Sequence, residues 1–482
     1  MKYLCFDRAA AFVLCFCIVL HADAQSPDES KFTSRVSQVR LQRTVRDLVS
    51  IGNRLGGTKS GDKASHYLVK KLESYGFKPQ VIIDPEKLAF TNIDWHCSVE
   101  RPKKLKGLIQ HEWLAGFSPS TSLRISRLTF VQSIGDIDKD SIDSGAVLLD
   151  QHPSFKMYDK LVEAGARCII CYQASNRFAY TTYPMIMTLR ETDKNPIPVF
   201  DISNLAGERL REEIKKGTSV SIKYSSKTSI AKGNPKTVVA TLAGQTDSCY
   251  ILCAHGDADS GGPGADDNAS GDAGVLEVAR ILNAMVRSEE LPSPRATIKF
   301  IIWGSENFSP SNYVKLQGKE LGKILGVINY DEIGIGKTRR CVYFEGNDIS
   351  QNRSILKLFE SIGEEFAERK GFWREATTNP SQGGTDSYVF LPEYLNRLDE
   401  PDIKIPSITV FTVAWNEPKS MAQTRGWISK AWKGNPDSVV IDYSPYYHSS
   451  LDIPALTTDK EPMRMVWAVN AVGIAFMRLL WN

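Results

Sequence analysis

Of the seven histidines in the chain, at positions 21, 66, 96, 111, 152, 255 and 448, only His255 and His448 fall after Lys232. Each stands in a polar loop next to a carboxylate, Asp257 and Asp452, rather than on an apolar face where core histidines are found. The stretch ILCAHGDADSGGPGADDNASG opens with an apolar run ending in His255, passes Asp257 and a Gly/Pro-rich turn, and reaches the acidic pair Asp266-Asp267. An imidazole with carboxylates in one loop suits a hard-to-borderline divalent cation, zinc first. Two further acidic positions follow apolar runs: IKFIIW leads into Gly304-Ser305-Glu306-Asn307, and GVINYD ends at Asp331-Glu332. Alone, a His-x-Asp pair is common, and Asp-Asp-Asn after Pro-Gly serves equally well as a helix cap. Four such loops together are hard to explain as solvated surface.

The elements that must position these residues follow from periodicity. KTVVATLA, CYILCA, TIKFIIW, LGVINYD, RCVYFE and PSITVFTV read as strands separated by helical segments. Apolar strands alternating with helices predict an α/β fold, a mostly parallel mixed sheet flanked by helices. Polar loops then gather at the carboxyl edge of that sheet, where such folds bind ligands. The segment DAGVLEVARILNAM places Val275, Leu276, Val278, Ala279, Leu282 and Met285 at helical spacing. Near the start, RVSQVRLQRTVRDLVSIG and DKASHYLVKKLESYG read as helices on either side of the break NRLGGTKSG. Between about Gly116 and Ser229, GAVLLD, RCIICY, NPIPVFDIS and SVSIKY read as strands, with FKMYDKLVEAGA and NLAGERLREEIKKG as helices. This is a compact β/α module inserted into the larger domain. It contains His152 but no evident acid, base and nucleophile group, and reads as a lid or spacer. The final apolar segment, with Arg464 and Arg478 inside it, is expected to dock on the sheet rather than cross a bilayer.

At 482 residues the chain has room for a large catalytic domain and a smaller one. A formal net charge of +3, with 24% charged and 42% hydrophobic residues, excludes nothing globular and gives no sign of a nucleic-acid partner. Lys2 and Arg8 precede the apolar run AAAFVLCFCIVL, and Ala22-Asp23-Ala24 fits a cleavage site before Gln25. A cleaved signal and a secreted or extracytoplasmic location (periplasm if bacterial) are therefore expected. Six of the nine cysteines would remain after cleavage. Cys168-Ile-Ile-Cys171 has redox or zinc spacing, but it lies in an apolar strand-like run without a second pair and reads as core. No disulfide is assigned.

The loops carrying these acids and histidines resemble the aminopeptidase Y-like family of co-catalytic zinc exopeptidases, relatives of plasma glutamate carboxypeptidase and bacterial secreted leucine aminopeptidases. AHGDADSGGPGADDNASG and YYHSSLD carry the resemblance. NRLGGTKSGDKASHYLVKKLESYG looks like the family's opening helices, and the middle module resembles a protease-associated insert. The organisation implied is a signal peptide at 1–24, an N-terminal part of the peptidase domain at 25–116, an insert at 117–229 and the zinc peptidase domain at 230–482. Carried over by motif, His255 and Asp331 would hold one zinc, Asp267 would bridge to a second, and His448 would belong to the second. Asp257 would orient His255, Asp452 would do likewise for His448, and Glu306 would be the general base. The sequence departs from the family where a second acid normally follows the base: here it is Asn307. One unit charge against a dication at ~2 Å is worth, gross, on the order of 15 kcal/mol at an effective dielectric near 20. Asn307 is thus a weak or lost ligand, and the second of two expected zinc sites is weakened.

The function implied is a secreted zinc-dependent exopeptidase acting on peptides, an aminopeptidase before all. The alternatives are a catalytically impaired peptidase-like binding protein, because of Asn307, and a dipeptidase or carboxypeptidase of the same family. Specificity would reside in loops such as FTVAWNEPKSMAQTRGWISKAWKGNP. No integral membrane span is expected, and oligomeric state is left open.

Overall fold

The computed structural model describes residues 26–174, 184, 186–191, 196–258, 260–336, 341–346, 350–379, 385–398, 403–412 and 446–481. The expected signal at 1–24 and all of the Trp-rich loop after Thr412 lie outside the described residues.

Eight strands form the principal sheet, in the spatial order Gln80–Ile83, Lys236–Leu242, Thr297–Trp303, Cys249–His255, Ile324–Tyr330, Ser407–Phe411, Cys341–Glu345 and Glu375–Asn379. The four from Thr297–Trp303 to Ser407–Phe411 run parallel to their neighbours. The two strands at the Gln80 end pair antiparallel, as does Cys341–Glu345 with Ser407–Phe411. The sheet is therefore mixed with a parallel centre, in keeping with the α/β class read from the strand pattern.

Because side chains alternate along a strand, the central strands feed two cores. Leu252, Ala254, Phe300, Ile302, Ile328 and Tyr330 pack on one face with the helices Gln38–Val49, Gly271–Arg287 and Met463–Leu480. Ile251, Cys253, Ile301, Trp303 and Val327 pack on the other with Tyr313, Val314, Phe390 and Leu395. This double burial explains why these strands are apolar throughout rather than alternating.

The Met463–Leu480 helix is buried on nearly every side and mostly apolar, with Arg464, Asn470 and Arg478 as its polar exceptions. It is long enough to cross a membrane, yet 83% of that window is buried inside the protein, so it is a core helix as expected. Phe32 lies so close to Gly473 that a Cβ there would come within 1.9 Å of the ring. Arg478 escapes the apolar surroundings by pairing with Glu29 at 2.8 Å and Glu365 at 2.7 Å.

Two smaller sheets are built from residues between Lys87 and Gly233. Lys87–Arg101 pairs antiparallel along Ser221–Gly233, with Thr121–Ile125 on its other side. The long strand KLAFTNIDWHCSVER starts ahead of residue 117 and carries too many polar residues to announce itself. A five-stranded sheet follows the order Trp113–Leu114, Val199–Asp201, Cys168–Cys171, Ala146–Leu149 and Leu128–Phe130, and the last four are mutually parallel. Within it, Cys168 packs with Ile170 while Cys171 packs with Ile169, on opposite faces. Strand geometry thus separates the two thiols and rules out a shared disulfide or a shared metal.

Candidate metal centre

His255, Glu306 and Asp331 leave the sheet from one edge. His255 closes its strand in register with Trp303, three residues before Glu306, and Asp331 follows directly on Tyr330. Since these strands are adjacent and parallel, their carboxyl ends open into a common crevice. Asp267 reaches the same place through the turn that begins at Gly264. That residue has φ +59, and a Cβ on it would come within 2.4 Å of the Ala258 side chain. Only glycine takes this conformation and this close approach together.

Asp267 lies between the two imidazoles. Its Oδ1 is 3.3 Å from His255 Nε2 and its Oδ2 is 3.0 Å from His448 Nε2. Asp331 Oδ1 is 3.6 Å from His255 Nε2. One donor atom each from His255, Asp267 and Asp331 fits within 4.8 Å of the others. Side-chain exposure rises from 1% at His255 through 11% at Asp267 and 18% at Asp331 to 28% at His448, so the crevice opens on the His448 side.

The His255 ring is oriented as a ligand would be. Nδ1 lies 3.0 Å from the carbonyl oxygen of Asp257, which can only accept. When the ring is neutral its proton therefore sits on Nδ1, which leaves the Nε2 lone pair for a cation held beside Asp267 and Asp331. The carboxylate of Asp257 is 3.4 Å from the same nitrogen and accepts from the Glu306 backbone N–H at 3.0 Å. One residue thus fixes both the imidazole and the loop that carries Glu306.

Negative charge is in excess here. Burial alone would lower the pKa of His255, but the charge on Glu306 and contacts with Asp257, Asp267 and Asp331 hold it well above its usual value. Burial would raise Asp267, yet both histidines overcome it and keep that carboxyl ionised, well below its ordinary range. Asp386, pushed up to about 7 mainly by burial, accepts from the Asn307 backbone N–H at 3.0 Å. One oxygen each of Asp257 and Asp386 is buried without a hydrogen-bond partner. Oxygen and imidazole donors in a crevice with uncompensated carboxylates fit a divalent cation such as zinc.

Asn307 adopts φ 55, and its Nδ2 donates to Glu306 Oε1 at 3.2 Å. Its carboxamide thereby positions the neighbouring carboxylate. Asp452 departs from expectation. Its two oxygens accept from the backbone N–H groups of Asp266 and Asp267, at 2.8 and 3.0 Å, so it fastens the Asp267 turn instead of orienting His448. Two donated hydrogen bonds at a buried carboxylate explain that choice, since an unsatisfied backbone turn at this depth would be costly. The backbone of His448 is held by another region: Ile186 N–H donates to its carbonyl at 2.6 Å, and Ser450 N–H donates to Pro184 at 3.2 Å.

Arg54 and Asp386 escaped the sequence reading. Buried Arg54 donates to the carbonyls of Gly52, Gly256, Pro263 and Gly264 at 2.8–3.1 Å, tying both ends of the metal loop to the N-terminal helices. Its signal was the NRLGG break, where a lone arginine stands among turn residues. Asp386 had a weaker one, an acid after glycines and before the apolar YVFL.

Residues 237–471 match the model of Peptidase family M28. The chain is 26% identical over 327 residues to probable leucine aminopeptidase 2 of Aspergillus oryzae, covering 64% of this chain and 62% of that one. It is 28% identical over 255 residues to aminopeptidase YwaD of Bacillus subtilis, covering 51% and 50%. The match to leucine aminopeptidase 2 of Trichophyton rubrum, 25% identical, spans 45% of this chain and 43% of that one. The chain thus spans less than two thirds of the length of these relatives. Among solved structures, a peptidase M28 precursor from Shewanella amazonensis superposes with a TM-score of 0.64 at 19% identity, covering 95% and 97%. A zinc aminopeptidase from Bacillus subtilis gives 0.60 at 18%, covering 92% and 95%. These two share the fold.

Proposed function

Residues 237–471 belong to peptidase family M28, and from that premise we propose that the chain is a zinc-dependent aminopeptidase that removes residues from the free amino end of peptides. The observation that carries this reading is the convergence of His255, Asp267, Asp331 and His448 on one crevice that also receives Glu306.

His255, Asp267 and Asp331 would hold one zinc, and the second oxygen of Asp267 with His448 would hold another. Zinc in such a site supplies Lewis-acid polarisation of a carbonyl and acidifies water. The chain's own groups do the rest. Glu306 accepts the proton of the attacking water on its carboxylate and delivers it to the departing amine. Asn307 Nδ2 keeps Oε1 of Glu306 oriented for that transfer. Asp257 keeps Glu306 and His255 in fixed relation, so proton acceptor and ligand move as one. Pro184 and Ile186 are hydrogen-bonded to the backbone of the segment that carries His448. We read them as part of the protease-associated insert expected at 117–229. Export through the leader ending at Ala24 completes the proposal.

Hydrolysis of aminoacyl-anilides, before and after chelation and with zinc restored, tests the reading. Zinc-restorable release of the amine is expected. A folded, zinc-loaded chain with no turnover on any free-amine peptide would replace the enzyme by a binding protein, the reading that the absence of an acid at Asn307 favours.

A further inference from the structure

The five-stranded sheet has a carboxyl edge of its own. Leu149 is in register with Cys171, and Cys171 with Asp201, across three adjacent parallel strands. Cys171 and Asp201 are the last residues of two of them, and His152 follows the end of the third. The topology that gathers the principal site therefore gathers a thiol, a carboxylate and an imidazole here. His152 Nε2 is 2.7 Å from Asp201 Oδ1, and Cys171 Sγ donates to the same oxygen at 3.0 Å. One donor atom from each residue lies within 4.8 Å of the other two.

We propose that His152, Cys171 and Asp201 form a zinc site of their own, independent of the crevice that holds His255. Three features support it. The donors span sulfur, nitrogen and oxygen, the combination that borderline-soft zinc accepts and hard cations such as magnesium or calcium do not. Asp201 is fully buried, and its Oδ2 has no hydrogen-bond partner, so one carboxylate oxygen is left for a ligand. The His152 side chain is 25% exposed while Cys171 is fully buried, so among these three residues the cluster meets solvent at the imidazole.

Charge and protons balance. In the metal-free protein Cys171 Sγ donates to Asp201 Oδ1, so it carries its proton there. Binding Zn²⁺ releases that one proton, and the dication is then neutralised by one thiolate and one carboxylate with a neutral imidazole. Ligand atoms around tetrahedral zinc stand about 3.5 Å apart. The three donor atoms already lie within 4.8 Å of one another, and three protein ligands leave a fourth position for water.

Cobalt substitution of the intact chain tests this. Thiolate bound to Co²⁺ gives an intense near-ultraviolet charge-transfer band, which the oxygen- and nitrogen-lined principal site cannot produce. The band is expected in the wild type and in His255→Ala, and is expected to vanish in Cys171→Ser and His152→Ala. Zinc content should fall by about one ion per chain in Cys171→Ser, in the wild-type background and the His255→Ala background alike. Absence of the band from folded wild-type protein at saturating cobalt would overturn the proposal without any variant. So would a band or zinc content that survives Cys171→Ser. Since His255→Ala abolishes only the principal site, failure of one assignment is distinguishable from failure of the other.

Discussion

The two carboxyl edges of this molecule solve one problem with different materials. The principal sheet takes His255 and Asp331 from strand ends but brings its other two donors from farther off, Asp267 from a turn beginning at Gly264 and His448 from a separate segment. The five-stranded sheet uses residues at the strand ends themselves, with Cys171 and Asp201 in direct register. The first edge is rich in carboxylate, graded from buried to open, and carries more negative charge than its histidines offset. The second is compact, sulfur-bearing and charge-balanced by a single dication. The difference teaches that parallel topology supplies the place, while loop length decides whether there is room for substrate as well as for an ion.

The contrast breaks most directly at Glu306. Glu306→Gln should lower kcat by about 10²–10⁴ while zinc content and the cobalt–thiolate band stay as they were. Anilide hydrolysis beside metal analysis reads this, and a fall in zinc would mean that Glu306 is a ligand instead. Next, Asp331→Asn should weaken zinc at the principal edge by more than the about 10–100-fold typical of losing an outer-shell partner. Competition with a chromophoric chelator measures it, and the cobalt–thiolate band should be indifferent.

A third effect concerns charge beneath the principal edge. Asp272 is fully buried with neither oxygen hydrogen-bonded, and burial raises its pKa to about 8 despite nearby Arg54. A carboxyl that holds its proton more tightly folded than unfolded contributes stability below its ordinary value of 3.8, and that contribution is lost as pH rises through about 8. Relative to Asp272→Asn, the wild type should therefore lose several kcal/mol between those limits, each unit of upward shift being worth about 1.4 kcal/mol. Urea midpoints at pH 4 and pH 8 check the sign. The smallest effect is expected from Asn307→Asp: an added charge should tighten zinc at the His448 end by on the order of 10-fold, about 1.4 kcal/mol. Turnover at limiting zinc would rise with it, and unchanged affinity would mean that residue 307 faces Glu306 only.

What could be read in the sequence were features that depend on local order. His255, Glu306 and Asp331 were legible because each follows an apolar run, and alternation of strands with helices implies that such runs end on one side. The core role of Met463–Leu480 was legible because its arginines mark it as something other than a lipid-facing span. Arg54 was not, since three of its four carbonyl partners lie 202 or more residues away. The small-sheet cluster was not, because Asp201 sits 30 residues from Cys171 and a single acid inside the strand NPIPVFDIS carries no signal of its partners. Asp452 was misassigned because sequence proximity to His448 says nothing about the backbone N–H groups it captures.

Arg54 sets a limit on how the molecule can be divided. The recognisable peptidase segment begins at 237, yet the guanidinium that clasps its ligand-bearing loop is supplied from far upstream, and Ala258 is likewise bonded to the carbonyl of Asn53. A fragment trimmed to the matched region would expose three stranded carbonyls and leave Asp272 without its nearby cation. The smallest expressible unit of the metal centre therefore includes the helices that flank residue 54, whatever the boundaries of the family match.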